Sequence, residues 1–107
     1  DPIFGTVIVV GLGGVFVELM KDVAIGISPL TEQDIHRMIT KLKGYPLLNG
    51  FRGRDRADVP SFIQMIRQVE SMVEKEEDIL ELDLNPVIVK KTNEGCVAAD
   101  ARIVMKR

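Results

Sequence analysis

The chain has 107 residues, enough for one compact domain and not for two. Fourteen Lys and Arg against sixteen Asp and Glu leave a net charge of −2, without the concentrated basic surplus that a nucleic-acid partner demands. Apolar residues at 46% and charged residues at 28% fit a soluble globular domain, and no apolar run is long enough to suggest a membrane partner. A single Cys96 and a single His36 make neither an internal disulfide nor a zinc cage, so a cytoplasmic setting is the expectation. The chain opens on Asp1-Pro2-Ile3-Phe4-Gly5 rather than on Met, and it reads as a piece of a longer protein.

Thr6 to Val10 is a β-branched run that predicts a strand, interrupted by Gly11-Leu12-Gly13-Gly14. Val15 to Met20 alternates as a second strand and Asp22 to Ile27 follows as a third, an antiparallel meander because such short connections cannot cross over. Thr31 with Asp34 three positions on predicts a helix N-terminus, and Ile35, Met38, Ile39 and Leu42 give it one apolar face before Gly44 stops it. Tyr45 to Ala57 reads as a loop, its Gly50-Phe51-Arg52-Gly53-Arg54-Asp55-Arg56 being the most basic local stretch. Asp58 caps a second helix with Pro60 in its first turn, and Phe62, Ile66, Val69 and Val73 form its stripe, widened by Ile63 and Met72. Glu74 to Asp78 closes that helix with acidic residues that oppose its dipole.

The last quarter carries the most chemistry. Leu80, Leu82 and Leu84 alternate with Glu81, Asp83 and Asn85, giving a strand with one apolar and one acidic face. Pro86 marks an edge or bulge, Thr92-Asn93-Glu94-Gly95 a turn, and Cys96 to Met105 the return strand. A turn that sets Lys91 opposite Cys96 pairs Leu84 with Ile103 and Leu82 with Met105, whereas a one-residue slip sets leucines against Arg102 and Val104. In that register Asn85 and Asp100 are diagonal neighbours about 7–8 Å apart, with Asp83 one pleat along the same face. A carboxylate and an amide oxygen so placed can share a hard cation such as magnesium, which takes one or two carboxylates and completes its octahedron with water and phosphate. The plainer reading is a wet acidic face on a half-covered sheet. Against it stands an Asn, a poor strand residue, immediately before Pro.

Other features admit similar pairs of readings. Gly11-Leu12-Gly13-Gly14 suggests a dinucleotide loop, but a strand follows where a helix is needed and position 16 is Phe, so a glycine bend for close packing is favoured. Arg52-Gly53 can lay a guanidinium fork and a bare backbone N–H against a phosphate or carboxylate, or form a solvated loop paired to Asp55 and Asp58. His36 reads as a surface residue, and Cys96, without a local base, as a small buried one.

Taken in order, Asp1-Pro2-Ile3-Phe4-Gly5, Gly11-Leu12-Gly13-Gly14 with Val17-Glu18 and Lys21-Asp22-Val23-Ala24, Leu48-Asn49-Gly50-Phe51-Arg52-Gly53, Glu81-Leu82-Asp83-Leu84-Asn85-Pro86 and Asp100-Ala101-Arg102-Ile103 resemble one family. Over nearly its whole length the chain is similar to the C-terminal part of the ATP-grasp domain of ADP-forming acetyl-CoA (acyl-CoA) synthetases, and more distantly to the succinyl-CoA synthetase β subunit. The resemblance implies that Asn85 and Asp100 hold the Mg2+ that bridges ATP or ADP phosphates. Asp83 matches an acidic position near that metal, and Arg52 and Gly53 match a loop near the phosphates. It implies a ligase joining an acid to CoA through an acyl phosphate and a phosphohistidine carrier. His36 matches neither histidine of the family.

The fold expected is α+β, an antiparallel sheet with two helices packed on one face, forming the C-terminal lobe of an ATP-grasp fold over residues 1–107. The partners implied are the ATP-grasp N-terminal lobe and CoA-binding and phosphohistidine domains, in the same or a separate chain; alone, the piece is expected to be inactive and to self-associate. The alternatives are a non-catalytic scaffold or interaction module that keeps the lobe, or the same lobe in an ATP-grasp/acyltransferase fusion.

Overall fold

The computed structural model describes residues 6–12 and 22–106. The strand expected at Val15 to Met20 and the second half of the glycine run lie outside them. Strand β1 (Val7–Gly11) pairs antiparallel with β2 (Val23–Ile27), Val7 opposite Ile27 and Gly11 opposite Val23. Gly11 permits that closeness: a Cβ there would lie 2.9 Å from Val23 Cγ1 and 3.1 Å from the Asp22 carbonyl oxygen.

Helix α1 (Glu32–Thr40) starts as its cap predicts. Thr31 Oγ1 accepts the Asp34 N–H at 3.0 Å, and Asp34 accepts the Thr31 N–H at 2.9 Å, closing a capping box. The helix stops before Gly44, because a long-range contact takes over there: the buried Asp22 carboxylate accepts the N–H groups of Lys43 and Gly44, each at 2.8 Å. Part of the stretch read as a loop is ordered into a short helix α2 (Tyr45–Leu48) and a 3-10 turn at Phe51–Gly53. Helix α3 (Val59–Lys75) follows, capped by Asp58.

Ile35, Met38, Ile39 and Leu42 of the first stripe join Ile63, Ile66 and Val10 in the core. Met72, placed on the second stripe, is 43% exposed instead. Helix α1 packs on the β1–β2 ladder and on α3, while α3 reaches the C-terminal hairpin. The α+β class with antiparallel pairing and helices against the strands is therefore as the sequence indicates, with the strands of the described residues paired in three two-stranded ladders.

The C-terminal hairpin consists of β3 (Ile79–Leu84), β4 (Val87–Val89), β5 (Cys96–Ala98) and β6 (Ala101–Met105), with β3 paired to β6 and β4 to β5. Its register differs by two residues from the one the sequence suggested. Leu82 faces Ile103 and Leu84 faces Ala101, because the turn closes between Lys90 and Gly95, whose N–H···O distance is 3.0 Å. Asn93 (φ 69°) and Gly95 (φ 84°) adopt left-handed backbone to make that turn. A two-residue shift preserves the parity of the β3–β6 pairing, so Asp83 keeps the face expected for it.

Asp58 ties this hairpin to α3. One of its oxygens accepts the Ser61 N–H at 3.2 Å; the other accepts the Ser61 hydroxyl and the Gly95 N–H, each at 2.8 Å. Its own N–H donates to the Lys90 carbonyl at 2.7 Å. These donors, the Ser61 hydroxyl first and the Gly95 N–H next, hold the Asp58 carboxyl below the usual carboxylate range. A carboxylate so lowered stabilises the fold above its ordinary value of about 4 and loses that contribution as pH falls through the folded-state value. The gap in melting temperature between the parent protein and Asp58→Asn is therefore expected at neutral pH and should close in acid. A pH series of thermal unfolding curves checks this, and a pH-independent gap contradicts it.

Candidate metal and phosphate site

From Glu81 the exposure pattern alternates as far as Asn85 and Pro86, which are both exposed in succession, and then resumes one residue out of phase. The ladder breaks at the same place. Pro86 has no N–H to give to a ladder, and the pairing passes to single contacts: the Asn85 N–H donates to the Asp100 carbonyl at 3.2 Å, and the Ala99 N–H donates to the Pro86 carbonyl at 2.9 Å. Asn85 and Asp100 are thus joined backbone to backbone just beyond the β3–β6 ladder, in place of the diagonal placement expected. Asp83 lies one pleat before Asn85, opposite Arg102. Asp83, Asn85 and Asp100 are all exposed. The Ala101 N–H donates to Asp100 Oδ1 at 2.9 Å and fixes that carboxylate's setting.

This wall borders a groove whose other side is β1 and whose floor is α3. Val7, Val9, Phe62, Met65, Asp83, Asn85 and Arg102 are among its lining. Asp100 enters through its pairing with Asn85 rather than as lining. Among the described residues no three His, Cys, Asp or Glu side chains converge on one point. An amide oxygen with one or two carboxylates fits Mg2+, whose remaining positions go to water and phosphate.

Arg52 and Gly53 lie elsewhere. Their loop is fastened to the far end of the β4–β5 hairpin, where the Thr92 N–H donates to the Arg56 carbonyl at 3.0 Å and Ala57 bridges to Lys91. Gly50 (φ 87°), Arg52 (φ 56°) and Gly53 (φ 75°) all take left-handed backbone, and the Arg52 guanidinium sits 5.3 Å over the Phe51 ring. The pairing expected from Asp55 is with Lys91 at 3.3 Å, while Asp58 serves the hairpin turn. Cys96 is half-buried near Asp58; burial first, and the Asp58 charge second, push its thiol up, the setting of an unreactive cysteine. His36 is exposed on α1, as expected.

Residues 1–105 match the family model of the ATP-grasp domain. The chain belongs to the ATP-grasp family. This ATP-grasp chain is 49% identical over 107 residues to the β subunit of an ADP-forming acetate–CoA ligase II from Pyrococcus furiosus, covering 99% of itself and 45% of that subunit. It is 38% identical over 103 residues to an ADP-forming 4-hydroxybutyrate–CoA ligase from Nitrosopumilus maritimus, covering 96% of itself and 15% of that ligase. Among solved structures, acetyl-coenzyme A synthetase 1 of Ca. Korarchaeum cryptofilum, in complex with coenzyme A and Mg-AMPPCP, superposes with a TM-score of 0.89 at 42% identity. That match covers 99% of the ATP-grasp chain and 49% of the solved chain. The ATP-grasp chain thus spans about half, or less, of the proteins it resembles.

Proposed function

We propose that residues 1–107 are the C-terminal lobe of the ATP-grasp domain in an ADP-forming acyl-CoA synthetase, which converts an acid, CoA and ATP into acyl-CoA, ADP and phosphate. The observation that carries this reading is the backbone pairing of Asn85 with Asp100 at the break between the two hairpin ladders. Two residues with oxygen-bearing side chains, both exposed, meet there through their backbones, with Asp83 two residues before Asn85. Asn85 and Asp100 hold the Mg2+, and Asp83 supports the nucleotide's metal end. The bound cation supplies charge neutralisation on the phosphates during transfer. The chain's own part is to keep these donors oriented, which the Pro86 break and the Ala101 N–H accomplish. Arg52 and Gly53 contribute a second anion contact from the loop at the other end of β4–β5.

The remaining parts of the nucleotide clamp and the CoA and phosphohistidine machinery belong to other domains, in this chain's parent or a partner subunit. One feature supports a missing neighbour. Val7, Val9, Val23, Ile25 and Ile27 are each more than half exposed and occupy one face of the β1–β2 ladder, while Ile8, Val10 and Ala24 face the helices. An apolar face of that kind is covered in the assembled enzyme and drives self-association of the isolated piece. No helix among the described residues is long and apolar enough to cross a membrane, and a cytoplasmic setting suits the nucleotide chemistry. The test is turnover by the full-length protein with acetate and a panel of other acids. CoA-dependent release of ADP and phosphate is expected; release of AMP and pyrophosphate, or no turnover with any acid, overturns the reading.

A further inference from the structure

The groove wall carries one positive charge that the metal reading does not use. Arg102 lies directly opposite Asp83 in the β3–β6 register and two residues after Asp100, which immediately precedes β6. Asp83 and Arg102 thus share a face of the ladder, and Asn85 and Asp100 follow just beyond its end, joined by the Asn85 N–H to the Asp100 carbonyl. Arg102 is exposed and lines the groove together with Asp83 and Asn85.

An arginine across from an aspartate ordinarily pairs with it. Here the ion pairs among the described residues are Arg37–Asp34, Arg67–Glu32 and Lys91–Asp55, and none involves Arg102 within the 4.0 Å that defines a pair. Arg102 is thus neither the neutralising partner of Asp83 nor, among the described residues, of any other carboxylate. Glu81, Asp83 and Asp100 make the rest of this wall acidic, which repels a polyphosphate wherever the metal does not shield it. A guanidinium presents a planar fork that matches two phosphate oxygens, and it does so without any metal.

We propose that Arg102 is a phosphate-binding residue, gripping a terminal phosphate of a nucleoside di- or triphosphate beside the cation held by Asn85 and Asp100. The inference rests on the nucleotide-binding reading above and adds a contact independent of the metal. It makes the wall two-handed: the Asn85–Asp100 pair binds phosphate through the cation, and Arg102 binds it directly.

The two contacts separate by calorimetry on the full-length protein, titrating ADP with Mg2+ and ADP with chelator. Arg102→Gln is expected to weaken both titrations by the same factor, about ten- to a hundredfold for a lost charge-assisted pair, leaving the enhancement by Mg2+ intact. Arg102→Lys, which keeps the charge and loses the fork, should recover only part. Unchanged ADP affinity in Arg102→Gln, whatever its melting temperature, overturns the assignment while the nucleotide reading stands. Absence of ADP binding by the parent protein under both conditions overturns the nucleotide reading, and this inference with it.

Discussion

Asp100→Ala in the full-length protein should lower turnover at least about a hundredfold, close to 2.7 kcal/mol of lost transition-state stabilisation, with melting temperature changed little. The fold has small stakes in this side chain: Asp100 is exposed, and the one hydrogen bond its carboxylate accepts among the described residues comes from the adjacent Ala101 N–H. The proposed chemistry has large ones, because this carboxylate is the charged member of the proposed pair with Asn85. Asn85→Ala should behave similarly, since it removes the other proposed oxygen ligand and leaves the backbone contact to Asp100 in place. Asp100→Asn should fall between, keeping an oxygen donor but losing its charge. Steady-state kinetics at saturating Mg2+ check the series; parent-like turnover in Asp100→Ala contradicts the assignment.

The largest effect on stability is expected at Ile39. Its side chain is fully buried and belongs to the cluster joining α1 to α3 and β1. Ile39→Ala removes methyl and methylene groups from a packed site and should cost about 2–5 kcal/mol. Met72→Ala, on the exposed side of α3, should cost far less, within about 0.5 kcal/mol. Urea unfolding of both variants decides it: equal losses would mean that the core does not lie where Ile35, Ile39 and Ile63 place it.

What the sequence disclosed and what it hid divide along the range of the interactions. The start of α1 was legible because its capping box is local: Thr31 and Asp34 satisfy each other within one turn. Its apolar stripe was legible because 3-4 spacing needs only the helix period, and all four members are buried. The end of α1 was not, because the groups satisfied there belong to Lys43 and Gly44 and their acceptor, Asp22, comes from a strand entry far back in the chain. Asp58 caps its helix as the local pattern indicates, but its second oxygen serves Gly95 in a turn that no local pattern connects to it.

The candidate site shows the same division. Alternation alone placed Asp83, Asn85 and Asp100 on one face, since parity survives any even shift of register. The shift itself depended on which residues close the turn. Asn93 and Gly95 take left-handed backbone and close it at Lys90 and Gly95, bringing the Asn85 N–H to the Asp100 carbonyl. The separation of Arg52 and Gly53 from this pair was hidden, because it follows from a loop strapped to the hairpin tip through Arg56 and Ala57. That Arg102 has no ion-pair partner among the described residues is a property only the three-dimensional arrangement assigns.

The central claim is that Asn85 and Asp100 hold the cation that presents nucleotide phosphate. Its most direct measurement is the ratio of ADP affinities with and without Mg2+, taken by calorimetry on the full-length protein and its Asp100→Ala variant. The parent should bind ADP more tightly with Mg2+, and the variant should lose that enhancement while keeping its metal-free affinity. A variant that retains the full enhancement would show that the cation is held elsewhere, and Asn85 and Asp100 would be only the wet face of a hairpin.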